Sequence, residues 1–215
     1  MKRYLILLLP ILLMIAYLIT GQYIFNFATT FSCIPIAIYY GMKEKRYADI
    51  TLISLAFVFS IAGDWMLQVY FVCGIALFFI AHLWYIYYSL KNGKIDKRLL
   101  LIITVIFLAY YLIFLMPSIS DKMINVAVLL YILVSCLSVA AAKGLNGDKI
   151  TKELYFNGIC CLAFSDVLIS MNTFLFIDTF YFLMLPTYYA SQILVAASFI
   201  SRYQQSDRII TNKTI

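Results

Sequence analysis

Apolar residues in this chain fall into eight long runs, which short polar connectors separate. A helix needs about 20 mainly apolar residues to cross the hydrocarbon core of a bilayer. The first run follows the basic start Met1-Lys2-Arg3, but it is long and no small-residue cleavage site follows it. We therefore interpret it as a retained helix rather than a signal peptide. The pattern predicts eight transmembrane helices, over residues 4–19, 23–40, 48–68, 71–90, 99–116, 122–142, 154–176 and 180–202.

The composition excludes a soluble protein. Of the 215 residues, 65% are hydrophobic and 12% are charged, and the mean hydropathy is +0.96. Soluble domains average about 45–50% apolar residues. We predict one integral membrane domain over residues 1–203 and a polar cytoplasmic tail over residues 204–215. The net charge of +6 comes from basic connectors and not from a basic patch interleaved with aromatic residues, so no nucleic-acid partner is expected.

Lysine and arginine positions predict the orientation in the membrane. Cytoplasmic loops carry an excess of these residues. With eight helices, fifteen of the sixteen basic residues fall on one side, and Lys122 alone falls on the other. Both termini are therefore predicted to be cytoplasmic, and the bacterial cytoplasmic (inner) membrane is the expected location.

Two carboxylates lie inside the apolar runs. Asp64 follows Ser60-Ile61-Ala62-Gly63, and Asp166 lies in Phe164-Ser165-Asp166-Val167-Leu168. Every other Asp or Glu falls in or beside a connector. A charge at the centre of a membrane helix costs at least about 2.5–3.5 kcal/mol, and such residues usually mark a functional site. Asp64 and Asp166 are therefore the candidate catalytic residues.

The two halves of the chain share a pattern. Predicted helices three and seven each carry Phe-Ser shortly before an Asp, and predicted helices four and eight each carry a polar and aromatic face. This favours a parallel four-plus-four duplication, because four helices return the chain to its starting side. The matching positions are Phe59-Ser60 with Asp64, Phe164-Ser165 with Asp166, His82 with Tyr85, and Tyr188 with Gln192.

Polar side chains on these helices complete the candidate site. Ser60 lies four residues before Asp64 and so shares its helical face. A Ser or Tyr taken alone usually serves as an interhelical contact or an interface anchor in a membrane helix. We expect six residues to position substrate or water: Ser60, His82, Tyr85, Ser165, Tyr188 and Gln192.

No metal or cofactor is expected. One imidazole and two carboxylates without nearby thiolates make a sparse ligand set for zinc. The five cysteines all lie in apolar runs with no C-x-x-C pair. We interpret them as small buried hydrophobic residues.

Four motifs carry a resemblance to a known family: Phe59-Ser60-x-x-Gly63-Asp64-x-x-Leu67, Gly74-x-x-x-Phe78-x-x-x-His82-x-x-Tyr85, Phe164-Ser165-Asp166-x-Leu168 and Tyr188-Tyr189-x-x-Gln192. Together they resemble the YhhN-type lysoplasmalogenase family of small eight-helix membrane proteins. One departure is Ile34-Pro35, where family members often carry Lys-Pro. The resemblance implies hydrolysis of the vinyl ether bond of lysoplasmalogens, which are membrane lysophospholipids, to a fatty aldehyde and glycerophospho-ethanolamine or -choline.

The two carboxylates suit that chemistry. A vinyl ether hydrolyses by protonation at its β-carbon, and water then captures the oxocarbenium-like cation. One protonated and one ionised carboxyl group can supply the proton, the stabilising charge and an oriented water, much as in a glycosidase. An apolar environment and a neighbouring carboxylate both favour keeping one acid protonated. The sequence does not assign these roles individually, because coupled groups titrate as a pair.

Two other classes of function fit parts of the pattern. Repeats and intramembrane acids also occur in small proton-coupled transporters. Against a transporter, the sequence lacks Gly- or Pro-broken helices at matching positions of the two halves. A receptor or a purely structural bundle is the third alternative, since fold does not imply function.

Overall fold

Helices make up nearly all of the protein in a computed structural model, which describes the backbone of residues 2–213 and the side chains of residues 4–22 and 24–203. No strand occurs in this part of the chain, and the predicted all-α class is confirmed. The elements are a 3-10 helix (Lys2–Leu7), α1 (Leu8–Thr20), α2 (Tyr23–Lys43), α3 (Tyr47–Val69), α4 (Phe71–Lys91), α5 (Lys97–Ser118), α6 (Lys122–Lys143), α7 (Lys149–Leu175) and α8 (Tyr181–Lys213).

Seven helices, α2 to α8, contain segments that are long and apolar enough to cross a membrane, as expected of an integral membrane protein. The apolar helix before them, Tyr4–Thr20, is shorter. A 3-10 helix rises about 2.0 Å per residue, which is more than an α-helix does. This first segment is therefore longer than an α-helix of the same number of residues. Seven helices thus qualify as membrane spans by length and composition, and the eighth span stays a prediction.

Aspartate side chains begin three of the helices. Asp96, Asp121 and Asp148 each accept hydrogen bonds from two backbone N–H groups in the first turn of α5, α6 and α7. Such caps satisfy donors that have no partner within the helix. The cap at Asp148 starts α7 at Lys149, whereas the apolar pattern predicts a start near Leu154. These three carboxylates therefore have a structural role.

The helices pair in the same way in both halves of the chain. α3 packs on α4 and α7 packs on α8 as extensive hairpins, α2 packs on α3, and α6 packs on α7. The halves then join through α4 against α6 and through α8 against α2. A duplication would produce this pattern of contacts, although the repeat itself stays a prediction.

Close helix contact within the α3–α4 hairpin depends on glycine. A Cβ atom at Gly63 would lie 2.8 Å from the ring of Phe78, and one at Gly74 would lie 2.7 Å from the backbone nitrogen of Leu67. Small residues let membrane helices approach closely, and this approach brings α3 and α4 together beside the site.

The connectors at residues 44–46, 92–96 and 144–148 lie together at what we call the basic end of the bundle. The buried carboxylate of Asp49 forms ion pairs with Arg46 at 2.5 Å and with Lys91 at 2.9 Å. Arg202 donates to the hydroxyl of Tyr88 at 3.0 Å and to the carbonyl oxygen of Asn146 at 2.6 Å. The connectors at residues 21–22, 70, 119–121 and 176–180 lie at the opposite end. Asp49 is thus occupied by structural contacts.

Helix α5 is peripheral. Only 11% of its most apolar 18-residue stretch is buried within the protein. It packs mainly on α6, and a π-helical turn at Tyr111–Leu115 places two of its side chains, Tyr111 and Leu115, in a small apolar core. Between this turn and the basic end, no residue of α5 is buried.

Candidate active site

Asp166 on α7 pairs with His82 on α4. The Asp166 Oδ2 and His82 Nε2 atoms are 3.2 Å apart. The imidazole is fully buried, whereas the carboxylate side chain is 13% exposed. The pair therefore lies at the wall of a cavity, with the imidazole behind the carboxylate.

Helix α6 supplies two further groups to this pair. The Ser135 hydroxyl oxygen lies 3.4 Å from His82 Nε2, and the Tyr131 ring meets the imidazole edge-on with centroids 5.4 Å apart. The Tyr131 hydroxyl faces Asp166. A neutral imidazole carries one N–H, and protonation at Nε2 allows it to donate to an ionised carboxylate. Sequence reasoning missed both residues, although their four-residue spacing places them on one face of α6.

Asp64 on α3 has different neighbours. The hydroxyl of Tyr188 on α8 faces both Asp64 and Thr30 of α2. The Oδ2 atom of Asp64 is buried and accepts no hydrogen bond from the described residues. No basic side chain among those residues forms an ion pair with it. Among the described residues Asp64 thus has no ion-pair partner, whereas Asp166 faces an imidazole.

Each carboxylate has a partner in the other half of the chain. Asp64 lies on the third helix and faces Tyr188 of α8, whose hydroxyl also faces Thr30 of α2. Asp166 lies on the seventh helix and faces α6 of its own half and α4 of the other half. Both acids therefore depend on a side chain that the other half supplies, His82 for Asp166 and Tyr188 for Asp64.

Both carboxylates line one cavity of about 230 Å³, which we call the carboxylate cavity. Tyr188 and Ser165 also line it, together with apolar side chains such as Phe71 and Phe78. Neutral polar residues line it near the opposite end of the bundle: Gln68, Asn172, Thr173 and Tyr181. No Lys or Arg is among its lining residues. A cavity of this size has room for several water molecules beside the two acids.

Besides His82, three of the residues proposed from sequence lie behind this cavity and do not line it. The Tyr85 hydroxyl donates to Gln192 Oε1 at 3.0 Å and also faces Ser60, and all three side chains are buried. Ser165 lines the cavity, but its hydroxyl donates to the carbonyl oxygen of Met184 at 2.9 Å. These four side chains shape and support the site from α3, α4, α7 and α8.

This arrangement gives the two acids different neighbours. The His82 imidazole can donate a hydrogen bond to Asp166. Asp64 has no ion-pair partner among the described residues. Within the described residues, no group of three or more His, Cys, Asp and Glu side chains is placed to hold a metal ion. The site can therefore present two carboxyl groups with different hydrogen-bonding neighbours to one substrate.

A comparison with models of protein families identifies the family of this chain. The model of the YhhN family matches residues 3–199, which includes both carboxylates and all of their partners. The chain belongs to the YhhN family. The resemblance seen in four motifs is thereby confirmed over nearly the whole membrane domain. No curated protein and no solved structure matches the sequence.

Proposed function

We propose that this protein hydrolyses the vinyl ether bond of lysoplasmalogens, releasing a fatty aldehyde and glycerophospho-ethanolamine or -choline. One observation carries the proposal: in a YhhN-family chain, two intramembrane carboxyl groups line a single cavity, one beside an imidazole and one beside a tyrosine hydroxyl. This is the pairing of a general acid with a stabilising anion that an oxocarbenium-like intermediate requires.

In the proposed mechanism Asp64 is the acid. Its proton passes to the β-carbon of the vinyl ether, where the double-bond electrons form the new C–H bond. The positive charge that develops on the α-carbon and the ether oxygen is stabilised by the Asp166 carboxylate, which His82 orients from 3.2 Å. Stabilising charge that develops only along the reaction path speeds the chemical step rather than substrate binding.

The second half of the reaction uses the same groups. Water adds to the α-carbon and gives a proton to Asp166. This addition converts the cation into a hemiacetal. Asp64, now ionised, takes the hydroxyl proton of the hemiacetal as the C–O bond to glycerol breaks, and Asp166 gives its proton to the departing oxygen. The net reaction consumes one water molecule and restores both acids. Tyr188, which faces Asp64, positions the acid against the substrate.

The direct test is aldehyde release by purified protein in vesicles that contain a 1-alkenyl lysophospholipid. Two lipids with the same head group and chain length serve as controls, one with a 1-alkyl ether and one with a 1-acyl ester. Neither should be cleaved, because protonation of carbon requires the double bond. In D₂O, the aldehyde trapped as a hydrazone should carry one deuterium next to the carbonyl carbon. Cleavage of the ester, or no aldehyde from the alkenyl lipid, would contradict the proposal.

We also propose that the basic end faces the cytoplasm, so that both termini are cytoplasmic and the carboxylate cavity lies toward the far side of a bacterial cytoplasmic membrane. Support comes from the clustering of the basic connectors at one end of the bundle. Reporters fused after Lys94 and Lys149 should read as cytoplasmic, and a reporter near Asp121 should read as external. A cytoplasmic signal near Asp121 would reverse or break this topology.

A further inference from the structure

The carboxylate cavity continues beyond Asp166. A space of about 60 Å³ shares five lining residues with it: Leu67, Phe71, Phe78, Asp166 and Ile169. A second space of about 220 Å³ shares Phe107, Ser135, Ala163 and Val167 with the first. The three spaces therefore adjoin one another through shared side chains, and they follow one another from the acids to the surface of the bundle between α5, α6 and α7.

The last space, which we call the chain groove, is apolar. Its walls include Ile103 and Phe107 of α5, Cys136 and Val139 of α6, and Cys160 and Phe164 of α7. No charged side chain lines it. The groove exists because α5 packs on α6 and reaches α7 mainly through its π-helical turn. Phe164 at its edge is 49% exposed, so the groove opens on the side of the protein that faces lipid.

We propose that the chain groove binds the hydrocarbon chain of the lipid whose reactive bond reaches Asp166. This inference rests on the proposed function and adds the path of the substrate. The occupant follows from the two ends of the path: carboxyl groups and neutral polar residues line one end, and the other end is apolar and open to the bilayer. A single-chain lipid with a polar head has the matching polarity.

The direction of the path also fits a lipid in the membrane. Cys160 lies six residues before Asp166 on α7, which places it about 9 Å closer to the basic end at 1.5 Å per residue. The polar part of the carboxylate cavity lies on the other side of Asp166, near the opposite end. A lipid of the leaflet at that end therefore enters with its head outward and its chain toward the bilayer centre, without turning over.

The groove should determine chain alignment more than affinity. Lipid tails are as apolar as the groove, so moving a chain from the bilayer into it gains little free energy. What the groove fixes is the position of the first carbons of the chain relative to Asp166. We therefore expect its effect to appear as discrimination between chain lengths.

Two neighbouring cysteines allow a test that does not depend on catalysis. Cys160 lines the groove, Cys161 does not, and both are half-buried on α7. Single-cysteine variants in diacyl phosphatidylcholine vesicles are labelled with an N-alkylmaleimide, with or without hexadecyl lysophosphocholine. This saturated ether has no bond for the enzyme to cleave. It should slow labelling of Cys160 several-fold and leave Cys161 unchanged, and an octyl analogue at the same membrane mole fraction should protect Cys160 much less.

Each other outcome has a definite meaning. Equal slowing at both cysteines would indicate a general change in the bilayer, and no slowing at Cys160 would indicate that the chain lies elsewhere. Equal protection by the octyl and hexadecyl lipids would show that the chain does not extend into the groove. Any of these results overturns the inference. If wild-type protein released no aldehyde from any alkenyl lipid, the proposed function would fail while this labelling result still decided the groove.

A matched pair of variants tests the groove during turnover. Cys160→Phe places a ring in the groove, and Cys161→Phe places the same ring one residue away, outside it. Cys160→Phe should lower kcat/KM several-fold more for long-chain than for short-chain alkenyl substrates, whereas Cys161→Phe should leave that ratio unchanged. The same change of ratio in both variants would contradict the inference.

Discussion

Replacing Asp64 by asparagine separates proton donation from every other role of this side chain. Asparagine has nearly the same shape but cannot protonate carbon. Because no cation pairs with Asp64 among the described residues, the substitution leaves no basic group without its partner. We therefore expect Asp64→Asn to insert and fold like the wild type.

The expected loss of rate follows from the role of Asp64. A positioned general acid is worth roughly 10²–10⁴-fold, which corresponds to a barrier higher by about 2.7–5.4 kcal/mol. Since the carboxylate cavity and the chain groove are unchanged, this loss should appear in kcat with little change in KM. Tyr188→Phe, which keeps the acid but removes the hydroxyl that faces it, should lose much less than the variant without the acid.

The assay compares initial aldehyde release by equal amounts of folded wild type, Asp64→Asn and Tyr188→Phe in the same vesicles. Helix content and elution as a single species by gel filtration serve as the folding controls. Turnover by Asp64→Asn within a factor of about ten of wild type would lie below the range for general acid catalysis. That result would remove Asp64 as the proton donor, and the two-carboxylate mechanism would not survive it.

Three further predictions follow from the geometry of the site and the connectors. Asp166→Asn should also lower kcat by roughly 10²–10³-fold through loss of the stabilising charge. The variant with both substitutions should be little worse than either single variant if the acids act as a unit. Fully additive losses would argue for independent roles. His82→Ala should cost less than either Asn variant, because the imidazole orients Asp166 at 3.2 Å and does not touch substrate; an equal or larger loss would make His82 the acid. Gly144→Ala should destabilise the protein, since its Cβ would lie 1.5 Å from a carbonyl oxygen of the facing connector. Gly21→Ala has nothing within 4 Å of its Cβ and a φ of 66°, so it should lower the free energy of unfolding by only about 1–2 kcal/mol. Thermal unfolding of both variants in detergent measures the difference, and a milder effect of Gly144→Ala would contradict the prediction.

The helices and the two acids could be predicted from the sequence because the bilayer imposes strong rules on both. Apolar length fixes where a helix can lie, and the cost of an intramembrane charge makes Asp64 and Asp166 stand out. The start of α7 was missed because Asp148 caps a first turn that is polar and therefore outside the apolar run.

The partners of the acids were harder to predict. A helical face can be read from spacing, but the depth of a side chain along the bundle axis cannot. Tyr85 and Gln192 share faces with His82 and Tyr188, yet they lie behind the cavity and bond to each other. Ser135 was missed because hydroxyl side chains are common contacts in membrane helices, and only the packing of α4 on α6 gives this one a neighbour of interest.

Each acid and its partner from the other half lie on opposite sides of the connector between α4 and α5, so the two halves of the chain depend on each other. A cut in the connector between α4 and α5 would leave Asp64 on one piece and Tyr188 on the other, and would likewise separate Asp166 from His82. Neither piece would hold an intact acid with its neighbours, yet the two pieces expressed together would contain everything. Replacing one half of the chain by that of another protein would therefore change the surroundings of both acids at once.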